Sequence, residues 1–221
     1  MLEAMDAFFE ARLSDYDGHM LRDIRGAAEF YPYTASLLPA APARILDLGC
    51  GTGLELEAYF RRCPEAEVTG IDLSEAMLRA LRLKFPGRRL ELIRGSYREL
   101  PLGEERCDAA VSVESLHHFT PGQKAALYAS LLAALKPGGR FILTDYFADS
   151  EEGSAAAFEE LGKLRKEAGL GEDILVHYDT PLTVQRETAL LREAGFSPVE
   201  ELRRWGATAT LAAVRPPKNT D

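Results

Sequence analysis

An apolar strand, Arg44-Ile45-Leu46-Asp47-Leu48, carries a carboxylate near its end and runs straight into Gly49-Cys50-Gly51-Thr52-Gly53, three glycines at alternate positions. Glycine in such a loop lets backbone approach a bound nucleoside, because a Cβ would collide with it or forbid the positive φ of the turn. A second carboxylate, Asp72, closes the next apolar run 19 residues past Gly53. There it can accept both hydroxyls of a ribose in charge-assisted hydrogen bonds, with Leu73 and Met77 placed to line an adenine. Further on, Glu114, His117 and His118 follow another apolar run, Cys107 to Val113. Carboxylate and imidazole are the side chains best suited to hold an acceptor or move its proton near neutral pH. Asp145, Tyr146 and the cluster His177-Tyr178-Asp179 complete the polar candidates.

The elements that must position these groups alternate. Strands are predicted at 43–48, 67–72, 89–94, 107–113 and 140–146, with helices at 53–62, 75–84 and 121–136 between them, a rhythm that implies a parallel sheet covered on both faces. Ser74 reads as an N-cap, and Lys136-Pro137-Gly138-Gly139 as a helix stop. After Tyr146 the rhythm lapses over 147–182, where residues 154–168 read as a helix with a solvated charged face. A last helix, 184–194, is capped by Thr183 and stopped by Gly195. Two closing strands, 198–205 and 207–214, form an antiparallel pair joined at Gly206. Upstream, Met5, Phe8, Phe9 and Leu13 share one stripe of a helix over 2–14, and a second helical stretch, 21–38, is expected to break at Pro32.

The ordered motifs resemble those of the class I S-adenosylmethionine-dependent methyltransferases, in the branch that acts on small molecules. The glycine loop is similar to motif I of that superfamily. Its G-x-G-x-G spacing departs from the G-x-G-x-x-G of nicotinamide dehydrogenases, since Leu54 and Leu56 stand where a third glycine would fall. Gly95-Ser96-Tyr97 occupies the place where similar enzymes follow the glycine with an acid that takes the adenine amino group; Ser96 is a shorter acceptor, and Tyr97 or backbone would share the task. The run Asp108 to His118 looks like motif IV, whose backbone after the strand, here Val113 and Glu114, binds the methionine ammonium. The resemblance implies a Rossmann-like seven-stranded sheet, mostly parallel with an antiparallel C-terminal strand, and helices on both faces. It implies S-adenosyl-L-methionine as cofactor and S-adenosyl-L-homocysteine as product, with Asp47, Gly49, Cys50, Gly51, Gly53, Asp72, Leu73, Met77, Ser96, Tyr97, Val113 and Glu114 around the cofactor. Glu114, His117, His118 and Tyr146 are the catalytic candidates. The methyltransferase domain spans 42–221; the helical N-terminal arm, 1–41, and the helical insertion, 147–182, are expected to form a lid over the active site.

Composition narrows the acceptor. With 35 acidic against 26 basic residues the net charge is −9, which disfavours a nucleic-acid partner. Three scattered cysteines make neither a disulfide frame nor a zinc motif, and the acidic N-terminus is no secretory leader, so a reducing cytoplasm is expected. No apolar stretch reaches 18 residues, so no membrane partner is expected. The Asn/Asp-Pro-Pro-Tyr/Phe run of amino methyltransferases is absent, and Asp145-Tyr146 offers only one carboxylate where catechol-type enzymes place a metal. The expectation is a small-molecule acceptor methylated at N or O, no metal, and a monomer or homodimer. Alternatives are a tRNA or protein methyltransferase, a carboxy-S-adenosylmethionine synthase, and a non-catalytic module that binds cofactor or product.

Overall fold

The computed structural model describes residues 2–171 and 174–218; Met1 of the arm, Glu172 and Asp173 of the insertion and the last three residues of the tail lie outside it. Seven strands form one sheet in the order β3-β2-β1-β4-β5-β7-β6. They are β1 Arg44–Leu48, β2 Glu67–Asp72, β3 Arg89–Arg94, β4 Cys107–Val113, β5 Leu135–Tyr146, β6 Val199–Trp205 and β7 Thr208–Val214. β1 to β5 pair in parallel, and β7 runs antiparallel to both its neighbours, the arrangement the motifs imply. Chain order reverses between β1 and β4, which opens a crevice at their carboxyl ends.

The central strands are largely apolar because helices cover most of both faces. Ile45, Val68 and Val111 pack against Leu56 and Tyr59 of α4 (Leu54–Arg62) and Leu78 and Leu81 of α5 (Glu75–Lys84). Leu46, Leu48 and Phe141 pack against Leu127 and Leu131 of α6 (Pro121–Ala134) and Leu190 of α8 (Val184–Glu193). Helix α6 ends two residues before the expected 136, because Leu135 is already extended and pairs with Cys107 as the first residue of β5. In the insertion, α7 spans Glu151–Ala168 rather than 154–168, since Ser150 caps it by accepting the Gly153 N–H at 3.0 Å.

The arm departs from expectation in a specific way. It forms α1 (Met5–Arg12), a 3₁₀ turn, α2 (Tyr16–Asp23) and α3 (Ala27–Leu37), and the chain breaks at Ile24–Gly26, not at Pro32. Pro32 sits inside α3 on its exposed side, so the carbonyl it orphans is met by solvent. Buried Phe30, Tyr31, Thr34 and Ala35 hold the other side. Thr34 Oγ1 lies 2.5 Å from Thr144 Oγ1, which lies 2.7 Å from Thr210 Oγ1, a hydroxyl chain from α3 into β5 and β7. The Arg62 guanidinium donates to the carbonyls of Ala35 and Leu38, both at 2.7 Å, closing the C-terminus of α3. Thus α3 belongs to the body, and only α1 and α2 reach over the crevice.

Helices α6 and α8 share a polar contact in an apolar layer. Lys124 and Tyr128, one turn apart, both donate to the carboxylate of Glu187, and all three are buried. Removing the cation strands a carboxylate in low dielectric, so Lys124→Met should cost about 3–5 kcal/mol. Adding Glu187→Gln, which keeps an acceptor for Tyr128, should recover part of that loss. Urea midpoints of the wild type, the single and the double variant check it; equal midpoints for wild type and Lys124→Met refute the role.

Candidate active site

The glycine loop is set by the strand next to it. Gly49 N–H and Cys50 N–H both donate to the Ile71 carbonyl, at 2.8 and 3.2 Å. Gly49 has φ +75°, and a Cβ there would lie 2.1 Å from Ser115 Oγ, so glycine is required twice over. Asp72 then fixes the rest of the loop: one carboxylate oxygen accepts Gly51 N–H at 2.9 Å and the other Ser74 N–H at 2.8 Å. Burial raises the Asp72 carboxyl while those N–H groups oppose it. Each oxygen keeps a lone pair for a further donor, as two ribose hydroxyls require.

Around this loop a cavity of about 50 Å³ brings together Gly49, Gly51, Asp72, Leu73, Met77, Ser96, Tyr97, Val113 and Glu114. The Tyr97 hydroxyl is committed to Ser115 Oγ at 2.7 Å, and Ser96 Oγ accepts the Arg98 N–H at 3.3 Å. Three expected residues turn elsewhere. The Cys50 side chain packs toward Gly70, and Gly53 faces Phe85 and Leu81 as the left-handed entry to α4. Asp47 is buried against Glu55 of α4, and each leaves one carboxyl oxygen without a partner among the described residues. Burial, and then the neighbouring Glu55, push the Asp47 carboxyl well up.

A second cleft, about 650 Å³, adjoins the first and shares Phe9, Tyr16, Glu114 and His118 with it. One wall is the arm, with Phe8, Met20 and Ile24; the other carries His117, His177 and Asp179. Arm and insertion are joined by a short antiparallel bridge, with Met5 N–H on the Leu175 carbonyl at 3.1 Å and His177 N–H on the Glu3 carbonyl at 3.0 Å. Phe8 stacks on the His177 ring at 3.5 Å between centroids.

His117 stands between two carboxylates, its Nδ1 2.6 Å from Asp145 and its Nε2 3.5 Å from Asp179. Burial alone would discharge the ring, but Asp145 and then Asp179 outweigh it and push His117 up to about 10. Burial and the charge on His117 push His118 down to about 3; its Nδ1 is 3.1 Å from the Tyr178 carbonyl. Glu114 has φ +49°, a strained value for a residue with a Cβ, and its carboxylate accepts from Thr208 Oγ1 at 2.9 Å. Burial, then Asp145, push Glu114 up to about 7. Tyr146 is 37% exposed and edge-on to His117 at 6.1 Å, outside the lining of both cavities.

Sequence reasoning missed the roof. Asp17 of α2 accepts from Thr52 of the glycine loop and from Lys84 Nζ of α5, the latter at 2.5 Å, and the Tyr16 ring lies over Gly51. The stripe of Met5, Phe8 and Phe9 was visible, but which surface it covers was not. A separate groove of about 570 Å³ opens over β1–β3, where no helix follows β3; Glu67 pairs there with Arg44 and Arg89.

Comparison with known proteins agrees with this geometry. A family model described as a methyltransferase domain matches residues 45–139. The chain is 31% identical over 182 residues to the ubiquinone/menaquinone biosynthesis C-methyltransferase of Syntrophotalea carbinolica, covering 78% of this chain and 76% of that one. It is 30% identical over 196 residues to the carboxy-S-adenosyl-L-methionine synthase of Wolinella succinogenes, covering 80% and 78%. Human N-acetylserotonin methyltransferase, crystallised with S-adenosylmethionine, superposes with a TM-score of 0.63 at 18% identity over 95% of this chain and 55% of that one, so this chain spans about half of its length. The chain belongs to the class I S-adenosylmethionine-dependent methyltransferases. Its cofactor is S-adenosylmethionine, which the glycine cradle and the free lone pairs of Asp72 fit.

Asp72→Ala removes the pin on the loop and the two lone pairs that a ribose would use. S-adenosylmethionine affinity, read by calorimetry, should fall on the order of 30- to 150-fold, about 2–3 kcal/mol. An unchanged Kd removes Asp72 from the cofactor site.

Proposed function

We propose that this methyltransferase acts on nitrogen or oxygen of a small molecule held in the 650 Å³ cleft between arm and insertion. One observation carries the reading: that cleft opens into the cofactor cavity across Phe9, Tyr16, Glu114 and His118, so an acceptor there meets the cofactor behind a wall of apolar side chains. S-adenosylmethionine supplies an electrophilic methyl group with a good leaving group. The protein's tasks are then to align the acceptor and exclude water. In this reading Asp72 holds the ribose, Leu73 and Met77 line the adenine, and backbone at Gly49, Gly51 and Val113 takes the methionine end. Glu114, pushed up to about 7, receives the proton of a hydroxyl acceptor. His117, kept charged by Asp145, orients the acceptor as a donor, with His118 and the outlying Tyr146 shaping the rim.

Arm and insertion act as the lid. With α1 and α2 in place the cofactor cavity is about 50 Å³, against the roughly 300 Å³ or more of pockets that enclose such ligands. Entry of cofactor therefore requires Tyr16 and Phe9 to move. The enclosure and the net charge of −9 favour a metabolite over tRNA or protein. A carboxy-S-adenosylmethionine synthase would need a cation beside the sulfonium for its extra carboxylate, and the described lining of the cofactor cavity holds no lysine or arginine.

Release of S-adenosylhomocysteine, measured on incubation with S-adenosylmethionine and fractionated metabolite extract, separates an enzyme from a binding module; no release from any fraction favours the module. With the acceptor in hand, Glu114→Gln should lower kcat by about 10²-fold or more for a hydroxyl and much less for an amine that arrives neutral. Deleting residues 1–20 should raise the acceptor KM or abolish turnover while cofactor binding stays measurable. Unchanged turnover removes the lid.

A further inference from the structure

The pattern of motifs predicts no metal, yet the cleft assembles ligands from two distant segments. One nitrogen each of His117 and His118 and one oxygen of Asp179 lie within 4.8 Å of one another. We propose that these three side chains bind a divalent first-row transition ion, with open positions facing the acceptor. The ion part of this inference stands on the ligand geometry alone; only the assignment of an oxygen acceptor to the open positions rests on the methyl-transfer reading above.

The distances argue for a shared ion rather than a simple ion pair. Asp145 sits 2.6 Å from His117 Nδ1, the length of a charge-assisted hydrogen bond. That bond fixes the ring and turns Nε2 toward Asp179, the carboxylate–histidine arrangement that orients metal-bound imidazoles. Across the ring the spacing changes: Asp179 Oδ1 is 3.5 Å from His117 Nε2 and 3.6 Å from His118 Nδ1. Both exceed the 2.7–2.9 Å of a charged hydrogen bond. Both match the edges of a tetrahedron around an ion bound at 2.0–2.1 Å, about 3.3 Å apart. On binding, His118 gives up the Nδ1 hydrogen that it donates to the Tyr178 carbonyl at 3.1 Å and carries its hydrogen on Nε2 instead, while His117 releases its Nε2 proton to solvent, so ion uptake releases a proton.

Two imidazoles and one carboxylate suit zinc, iron or manganese better than magnesium or calcium. Three protein ligands with room beside them are the mark of a reactive rather than a structural site. The open side faces the 650 Å³ cleft, where Asp179 is half exposed and His118 borders the cofactor cavity too. An acceptor hydroxyl or carboxylate bound there would be held at the junction of the two cavities, with Glu114 beside it.

The test is a titration of the full chain, stripped with chelator, with zinc against a chromophoric competitor. One ion per chain is expected. Asp179→Asn and His117→Gln should each weaken binding at least tenfold, Asp145→Asn by about 10- to 100-fold as an outer partner, and Glu159→Gln, on the exposed side of α7, not at all. Cobalt in place of zinc should give visible d–d bands that Asp179→Asn abolishes. Asp179→Asn should keep the wild-type circular dichroism and its affinity for S-adenosylmethionine, which separates loss of the ion from loss of fold. Absence of stoichiometric uptake, or uptake indifferent to Asp179→Asn, overturns the ion site. Loss of S-adenosylmethionine binding with the ion retained would instead strike the methyl-transfer reading alone.

Discussion

Four carboxylates, Asp47, Asp72, Glu114 and Asp145, stand at or just past the ends of β1, β2, β4 and β5, crowded along one edge of a sheet buried on both faces. Like charges in such a place repel, and each is restrained by a different device. Asp72 is steadied by backbone N–H groups, Asp47 is buried against Glu55, Asp145 is met by His117, and Glu114 leans on Thr208. The result is an edge rich in carboxylates whose polar groups are fixed in place. A cofactor that carries a sulfonium, with an ammonium and a carboxylate at its methionine end, brings cationic groups to that edge, whereas a pyrophosphate would bring only further negative charge.

The same edge explains why the arm is where it is. Asp17 brings one more carboxylate to the site, and it comes with its own cation, because Lys84 and Thr52 receive it from two different elements. Tyr16 follows it over Gly51, the one place on the loop where a missing side chain leaves room. The insertion arrives from the far end of β5 and is stitched to the arm through backbone at Glu3, Met5, Leu175 and His177. Two additions far apart in the chain thus close one cleft.

What could be read without coordinates was what depends on short-range pattern. Parallel strands buried on both sides are continuous apolar runs, so their ends, and the carboxylates at them, fall at countable positions. Gly49 and Gly51 announce a loop because positive φ favours glycine at both, and at Gly49 a Cβ would also strike Ser115. Gly53 and Cys50 belong to the same run of letters, but Gly53 lies against Phe85 and the Cys50 side chain against Gly70, contacts that no spacing announces. Pro32 was misjudged because a proline's cost depends on whether the orphaned carbonyl sees water, which only tertiary structure tells. The Asp145–His117–Asp179 line was invisible as such. Each residue was noticeable, yet spacings of 28 and 62 positions carry no signal of contact.

The reversal at Gly26 separates two fates for the N-terminal segment. Its left-handed backbone lies tight against Trp205, where a Cβ would come within 2.6 Å of the indole side chain, so the chain there is anchored to the edge strand β6. Everything after that anchor is welded to the sheet by Phe30, Thr34 and Arg62; everything before it rests on the crevice from outside. A change in α1 or α2 therefore acts first on the walls of the crevice, whereas a change in α3 acts on the packing of the sheet itself.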